Sequence, residues 1–305
     1  MKKLNPFYKI SRERSGELFI FFESVFWGAL PVVSVLASGF ISPILVAAWS
    51  TLFAAIFFSG LLTIQKKWKE ILIREAWRPI FFATVLIAVI YFVLFFLGLR
   101  HTSAGNAAII LQMEVWFSFI FFGLILRKEK YTPTALIGAA LMFGGVLFVL
   151  FSGKFEFNRG DLLILLATVF PPAGNYFQQI ARKKVSAATL LFIRSAIGAA
   201  FLFLIASFFE MNLLRNFSGA LPFLVINGCL LFGVSRIFWI EGIHRISVAK
   251  AISLNTFAPV FALIYAFFFL HEIPTVWQLM GLPLVIIGAI LIVRNNFLRD
   301  APPVN

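Results

Sequence analysis

One carboxylate stands in the middle of a long apolar run, and its position predicts chemistry. Glu114 lies near the centre of the apolar residues at 104–126. A charge at the midplane of a membrane helix costs roughly 2.5–3.5 kcal/mol even on the most lenient insertion scale. Such a carboxylate could bind the amine of a solute or exchange a proton. It could equally be the structural partner of a buried Arg or Gln on a neighbouring helix, and the sequence leaves both interpretations open.

Four other ionisable residues lie within a turn or two of the predicted cytoplasmic ends of their helices, and they are Glu23, Arg194, Arg236 and Lys250. A single Arg or Lys so close to the interface can extend its charged end into water and serve only as an anchor. One carboxylate and three cations at similar depth in four helices are a more specific pattern. Together they predict a vestibule that faces the cytoplasm and attracts a solute bearing a carboxylate.

A proline pair interrupts the sixth apolar run of the chain. Pro171 and Pro172 are followed within two turns by Asn175 and Gln178, and the first run has a glycine and a proline at 28–31. Proline removes a backbone donor and breaks the helical ladder. Broken helices at corresponding positions of two halves indicate the binding site of a transporter. The alternative is a structural kink that binds no ligand.

Aromatic and amide side chains complete the candidate binding residues, and they are Tyr91, Tyr176, Trp239 and Asn255. A cavity lined by Tyr and Trp would suit flat, amphipathic solutes, although 40 phenylalanines make any aromatic pattern weakly specific. Asn255 could equally bond a neighbouring helix. No metal site and no cofactor are expected, because Cys229 is the only cysteine and the three histidines stand in separate connections.

Membrane helices must position these residues. Apolar residues make up 61% of the 305 residues and charged ones 13%, against roughly one half and one quarter in soluble domains. A spanning helix needs about 20 mainly apolar residues. The composition therefore predicts an all-α integral membrane protein with ten transmembrane helices, at about 18–37, 43–64, 79–98, 104–126, 133–152, 161–181, 187–209, 220–241, 247–270 and 275–294.

The chain repeats itself when it is shifted by 144 residues. Gly98 then falls on Gly242, and the tripeptide at 16–18 falls on the one at 160–162. The predicted halves are residues 17–152 and 160–294, with five helices each. An odd number of spans in each half inverts the second half relative to the first, which is how many transporters build a site that opens to either side.

The same repeats carry a family resemblance. In each, a helix begins with small residues after a Ser-Ala or similar turn, a glutamate stands at a helix end, and a glycine-rich helix follows; the second also has a mid-helix proline. Residues 98–149 and 242–293 thereby resemble the EamA repeat of the drug/metabolite transporter superfamily. The resemblance implies ten helices, alternating access and a central cavity, which we expect helices 1, 3, 4, 6, 8 and 9 to line. The first copy departs at Glu114, which falls opposite Ala258.

Basic residues alternate from one connection to the next. They are concentrated at 1–14, 66–78, 127–130 and 182–184 and are nearly absent from the connections between. Lys and Arg mark cytoplasmic loops, so both termini are predicted to be cytoplasmic in the inner (plasma) membrane. The net charge of +13 then reflects topology, and no nucleic-acid partner is expected. The connection at 65–78 is either a short helix on the anionic inner leaflet or a solvated loop.

These features predict a secondary active transporter that works by alternating access and exports a small amphipathic metabolite such as an amino acid, or a drug. A membrane-embedded transferase would need paired aspartates or a histidine cluster, whereas the chain has only Asp161 and Asp300. It is therefore not expected to be an enzyme. A passive facilitator or channel remains an alternative. Glycines in helices 5 and 10 predict close packing, either between the halves or between the protomers of a homodimer.

Reporter fusions test the predicted topology. Fusions after Trp68, Arg127 and Arg182 should report the cytoplasm, because these positions follow or lie in lysine-rich and arginine-rich connections. Fusions near Gly39 and Lys154 should report the opposite side. A C-terminus outside the cell would require an odd number of spans and would contradict the inverted repeat.

Overall fold

Every element of the described chain is a helix. The structure is a computed structural model that describes residues 12–126, 132–151, 158–209, 214, 216–243, 245–246, 251 and 254–297. In the first half, α1 consists of Arg12–Gly28 and Leu30–Ser38, α2 of Pro43–Gln65, α3 of Arg74–Ala83, the π-helical Thr84–Tyr91 and Phe92–Leu99, α4 of Ala104–Leu111, Met113–Ile120 and the π-helical Phe121–Ile125, and α5 of Pro133–Phe151.

The second half follows the same order. Here α6 consists of Arg159–Ala167 and Pro171–Arg182, α7 of Ala187–Phe209, α8 of Phe217–Val225, the π-helical Ile226–Val234 and Ser235–Ile243, α9 of Ala258–Leu270, and α10 of Val276–Phe297. Several helices extend a few residues beyond the predicted apolar runs, because a helix continues through the polar interface at the edge of the membrane.

Within the described ranges, seven helices are long and apolar enough to cross a membrane: Glu13–Ser38, Pro43–Gln65, Arg74–Leu99, Ala104–Gly123, Pro133–Leu150, Ala187–Phe209 and Phe217–Gly242. Shorter apolar helices are Ala258–Leu270 and Val276–Ile292. The predicted interruption of α6 is present, and it divides this helix into pieces of 9 and 12 residues. The chain is a multi-pass membrane protein.

Irregular backbone occurs at matching places in the two halves. In the first pair of repeat partners, α1 is broken at Ala29 and α6 is broken between Ala167 and Pro171. In the second pair, α4 is broken at Gln112, and Thr256, which is the repeat partner of Gln112, stands in the turn before α9. α3 and α8 contain π-helical segments at corresponding positions. Irregular backbone at membrane depth is tolerated only against protein or a water-filled cavity. These helices are the six that were predicted to line the cavity.

The helices pair in a pattern that is symmetric between the halves. α5 packs on α10, α2 on α7 and α4 on α9, so each of these helices meets its own repeat partner. α1 packs on α8 and α3 on α6, and exchanging the halves converts the first of these contacts into the second. This is the contact pattern of two halves related by a two-fold axis, as the inverted repeat predicts.

Glycines allow α5 and α10 to approach closely. A Cβ atom added at Gly138 would lie 2.6 Å from the carbonyl oxygen of Gly288, and one at Gly145 would lie 2.7 Å from that of Gly281. A Cβ atom at Gly144 would meet nothing within 4 Å. The predicted close contact is therefore present between the halves at Gly138 and Gly145, whereas the same prediction is wrong for Gly144.

The connection at 65–78 contains a single 3-10 turn, Trp68–Leu72, before α3 begins. It is neither a continuous surface helix nor a free loop, because Glu70 accepts hydrogen bonds at the start of α7. They come from the backbone N–H of Ser186 at 2.6 Å and Oγ1 of Thr189 at 2.7 Å. Partial burial raises the pKa of Glu70, but these hydrogen bonds outweigh it and hold the pKa below its usual range.

Substitutions in α5 test the contact between the halves. Gly138→Ala should lower the free energy of unfolding by about 1–3 kcal/mol, because α5 and α10 must move apart to admit the methyl group. Gly144→Ala makes the same change in the same helix without a steric conflict and should leave stability unchanged. The measurement is thermal unfolding of the purified protein in detergent. Equal melting temperatures for the two variants would contradict the packing described here.

Candidate functional site

Glu114 on α4 and Asn175 on α6 meet at the centre of the molecule. Each stands just after a helix interruption, Glu114 two residues beyond Gln112 and Asn175 one turn beyond the start of the second piece of α6. Asn175 Nδ2 donates a hydrogen bond of 3.0 Å to Glu114 Oε1. The Glu114 side chain remains partly accessible, so the carboxylate is held by an amide without being sealed by packing.

The hydrogen bonds continue from Asn175 to a buried arginine. Gln178 Nε2 donates to Asn175 Oδ1 at 2.8 Å, and Arg194 Nη1 donates to Gln178 Oε1 at 2.8 Å. Each amide accepts on one side and donates on the other, so all donors point towards Glu114. Glu114, Asn175, Gln178 and Arg194 therefore form a polar chain that joins a carboxylate on α4 to a guanidinium on α7 through α6.

Arg194 forms no ion pair with a carboxylate among the described residues, whose ion pairs join other side chains. Its exposed fraction is 9%, and Nε has no hydrogen-bond partner in the ranges that the structure describes. The possibility that Arg194 extends to the interface as an anchor is wrong, because the residue is buried within α7. A buried guanidinium with unused donors is suited to bind a carboxylate.

A second pair of charges lies beside this chain. Glu23 on α1 is completely buried, and its Oε1 lies 3.7 Å from Nη1 of Arg236 on α8. The guanidinium carbon of Arg236 lies 3.7 Å from the ring centre of Trp27, a cation–π contact. Sequence reasoning did not assign Trp27 to the site, although its place one turn after Glu23 puts both side chains on one face of α1.

The two pairs form one site. Arg236 interacts electrostatically with both Glu114 and Arg194, so charges from α1, α4, α7 and α8 converge. Tyr91 on α3 is 4% exposed, stacks on Phe95 and interacts electrostatically with Glu114 and Arg236. Seven of the residues predicted for binding therefore lie together in this site, and they are Glu23, Tyr91, Glu114, Asn175, Gln178, Arg194 and Arg236.

The remaining predicted residues make other contacts or cannot be placed. Trp239 packs in a separate apolar cluster with Ile20, and Asn255 accepts a hydrogen bond of 3.0 Å from Ser24 Oγ. Tyr176 contacts the ring of Phe121. Lys250, the third cation predicted for the vestibule, lies outside the described residues.

The two-fold partner of the Glu114–Asn175 contact is apolar. Ala258 and Pro31 occupy the repeat positions of Glu114 and Asn175, and they line a cavity of about 10 Å³ with Trp27 and Pro259. That volume is close to what one water molecule needs. One side of the symmetric centre is therefore charged, whereas the other is uncharged and mainly apolar, with Gln112 as its polar side chain.

A further polar cluster joins the ends of α4, α6 and α10. Asp161 accepts hydrogen bonds from Thr102 Oγ1 and Asn106 Nδ2, and Asn106 Oδ1 accepts one of 2.7 Å from Gln278. Glu272 accepts the first backbone N–H groups of α4 at 3.2 and 3.4 Å. Sequence reasoning missed this cluster. A signal was present, since Asp161 and Glu272 each fall opposite an acidic residue in the other copy of the repeat.

The inverted repeat, the interrupted helices and the buried charges define a membrane transporter. The EamA-like transporter family matches residues 14–151 and 158–294. The chain belongs to this family, and the match confirms the superfamily that the repeats resemble. Membership implies a small-molecule solute and a lipid bilayer as partners.

Several relatives share most of the chain. The uncharacterized transporter YyaM of Bacillus subtilis is 27% identical over 88% of this chain and 90% of its own length. An uncharacterized transporter of Archaeoglobus fulgidus is 26% identical over 89% and 96%, and sll1164 of Synechocystis is 23% identical over 74% and 68%. A solved crystal structure shares the fold with a TM-score of 0.69, at 16% identity, over 94% of this chain and 99% of the other.

Neighbouring glutamines test the polar chain. Gln178→Leu should lower the melting temperature, because it leaves Arg194 and Asn175 without a buried partner, a loss of about 1–3 kcal/mol. Gln179→Leu is the control, since Gln179 is exposed on the same helix. The measurement is thermal unfolding of both purified variants. If Gln178→Leu were as stable as Gln179→Leu, the chain from Arg194 to Glu114 would not stabilise the fold.

Proposed function

We propose that this protein is a secondary carrier of the inner membrane that works by alternating access and exports a small amphipathic solute bearing an amine and a carboxylate, such as an amino acid. The observation that carries this proposal is the polar chain. It holds an accessible carboxylate, Glu114, and a guanidinium without a carboxylate partner, Arg194, in one site.

The carboxylate of the solute binds Arg194 in this proposal. Arg presents five N–H donors in a planar fork that matches a carboxylate, and the hydrogen bond from Arg194 to Gln178 uses one of them. Burial strengthens the attraction because the local dielectric constant is low. A solute that has an amine but no carboxylate would gain no binding free energy from Arg194.

The amine of the solute binds Glu114. Its present partner is the neutral amide of Asn175, and an ammonium group makes a stronger, charge-assisted hydrogen bond to a carboxylate. Asn175 and Gln178 satisfy the two charged groups while no solute is bound, and they can turn to a solute that takes their place. The amides therefore make the empty site tolerable at membrane depth.

The apolar part of the solute faces the two-fold partner of this contact. The side chains of Ala258, Pro259 and Pro31 are apolar there, so a polar solute with a small apolar part fits better than one that is polar all round. The symmetric helix interruptions support alternation of access between the halves. The distribution of basic residues supports cytoplasmic termini.

Reconstitution tests the function. Purified protein in liposomes should exchange labelled amino acids, with neutral and moderately apolar ones exchanged fastest. Solutes that lack either the amine or the carboxylate should compete poorly, because each leaves one buried charge without its partner. A facilitator would equilibrate these solutes but never accumulate them under an imposed gradient. Absence of exchange for the whole set would refute the proposed solute class.

Glu114→Gln tests the role of the carboxylate. We expect a stable, inserted protein whose amino acid exchange falls by about tenfold or more, where each factor of ten corresponds to roughly 1.4 kcal/mol. Glu75→Gln makes the same change at an exposed carboxylate paired with Lys184 and should exchange at the wild-type rate. Exchange and melting temperature are measured on the same preparations. Wild-type exchange by Glu114→Gln would exclude Glu114 from the mechanism.

A further inference from the structure

Glu23 is a buried charged group for which the proposed solute site has no direct use. Its exposed fraction is 0%, and within the described part of the chain neither carboxylate oxygen has a hydrogen-bond partner. The Nη1 atom of Arg236, at 3.7 Å, is farther away than a hydrogen bond allows. A buried carboxylate without hydrogen bonds is unfavourable as an anion unless a counter-charge compensates it. The ionised form of Glu23 therefore depends on Arg236.

The other groups around Glu23 make this dependence stronger. Glu114 on α4 acts on Glu23 as a second negative charge. α1 also packs on α9, but the described part of α9 contains no charged residue. Arg236 on α8 is thus the cation that faces Glu23 from the described elements packed around it.

Arg236 stands between Glu23 and the accessible part of the site. Its side chain is 27% exposed whereas that of Glu23 is 0% exposed. The guanidinium rests on the face of Trp27 and interacts electrostatically with Glu114 and Arg194 as well as with Glu23. A movement of Arg236 towards Arg194 would remove the counter-charge of Glu23 and open its carboxylate to the same water.

We propose that Glu23 is a proton-binding site that is coupled to solute binding through Arg236. The inference rests on the proposed function, in which a solute carboxylate enters beside Arg194. That carboxylate attracts Arg236 away from Glu23, and Glu23 then takes a proton from water in the open site. One O–H bond forms on Glu23, the buffer supplies the proton, and nothing is oxidised or reduced.

The coupling has a definite sign. A proton at Glu23 and a carboxylate at Arg236 favour each other, so solute and proton bind together and cross the membrane in the same direction. A solute that leaves a cell down its own gradient therefore takes a proton with it. If an amine and a proton instead competed for Glu114, each would weaken the binding of the other, and the two would cross the membrane in opposite directions.

Infrared titration tests the proton site without any solute. In full-length protein in liposomes, Arg236→Gln removes the counter-charge permanently, and we expect a carboxylic acid signal at pH 7 that is larger than that of wild type. This increase should disappear when Glu23→Gln is added to Arg236→Gln. The matched control is Arg245→Gln, which removes the partner of Glu241 in a more exposed ion pair and should produce no such increase. Absence of the increase in Arg236→Gln would overturn the proposal.

Proton movement tests the coupling. Liposomes containing the protein and a pH-sensitive dye are loaded with a mixture of the twenty common L-amino acids and diluted into buffer. Wild-type vesicles should become alkaline inside as amino acids leave. In Glu23→Gln, the number of protons that leave with each labelled amino acid should fall by about tenfold or more. An equal ratio of protons to amino acids in both proteins would overturn the coupling.

The two tests separate the inference from the proposed function. If wild type moves no amino acid from the mixture, the solute class is wrong, and the infrared titration still decides whether Arg236 controls the proton on Glu23. If Glu23→Gln fails to fold, Arg236→Gln and Arg236→Lys replace it. The lysine variant keeps the counter-charge and should lack the increase in the carboxylic acid signal, and an increase of equal size in both variants would refute the role of Arg236.

Discussion

A charge that leaves water for the interior of a membrane protein needs other groups to replace its hydration, and this requirement organises the centre of the molecule. Glu114 and Arg194 are connected by two amides, and Glu23 is compensated by Arg236 across a short gap. Removing one member of such a set leaves its partner buried and uncompensated, which is strongly unfavourable. The interrupted helices α1, α4, α6 and α8 bear all of these side chains except Arg194, which stands on the continuous helix α7.

Symmetric architecture and asymmetric chemistry coexist here. The two halves pair their helices in the same way and interrupt them at matching positions. Yet Glu114 and Asn175 have Ala258 and Pro31 as their repeat partners, so a polar contact on one side corresponds to an apolar cavity on the other. Alternation between two states needs the symmetric backbone, whereas selection of a solute needs the different side chains.

The continuous helices hold the two halves together, whereas the interrupted helices are the ones that can bend. α5 and α10 meet through glycines at backbone distance, and α2 packs along α7, so these four helices make extended contacts between the halves. The interrupted helices contain the breaks and π-helical segments at which a helix can bend. Glu70, in the connection before α3, also holds the start of α7 in the other half. Movement at the site is therefore expected in the interrupted helices, which bear all of its charges except Arg194.

The sequence by itself determined the class of fold, since hydropathy, the repeat and the family resemblance each report on length, order and depth along the chain. It identified Glu114 as costly and the proline pair of α6 as a break. The tertiary structure alone decided the partners: Arg194 reaches Glu114 through Gln178 and Asn175, Arg236 lies between Glu23 and Trp27, and Trp239 packs elsewhere. The physical reason is that hydropathy reports how deep a residue lies, whereas its partner depends on how each helix is rotated against its neighbours.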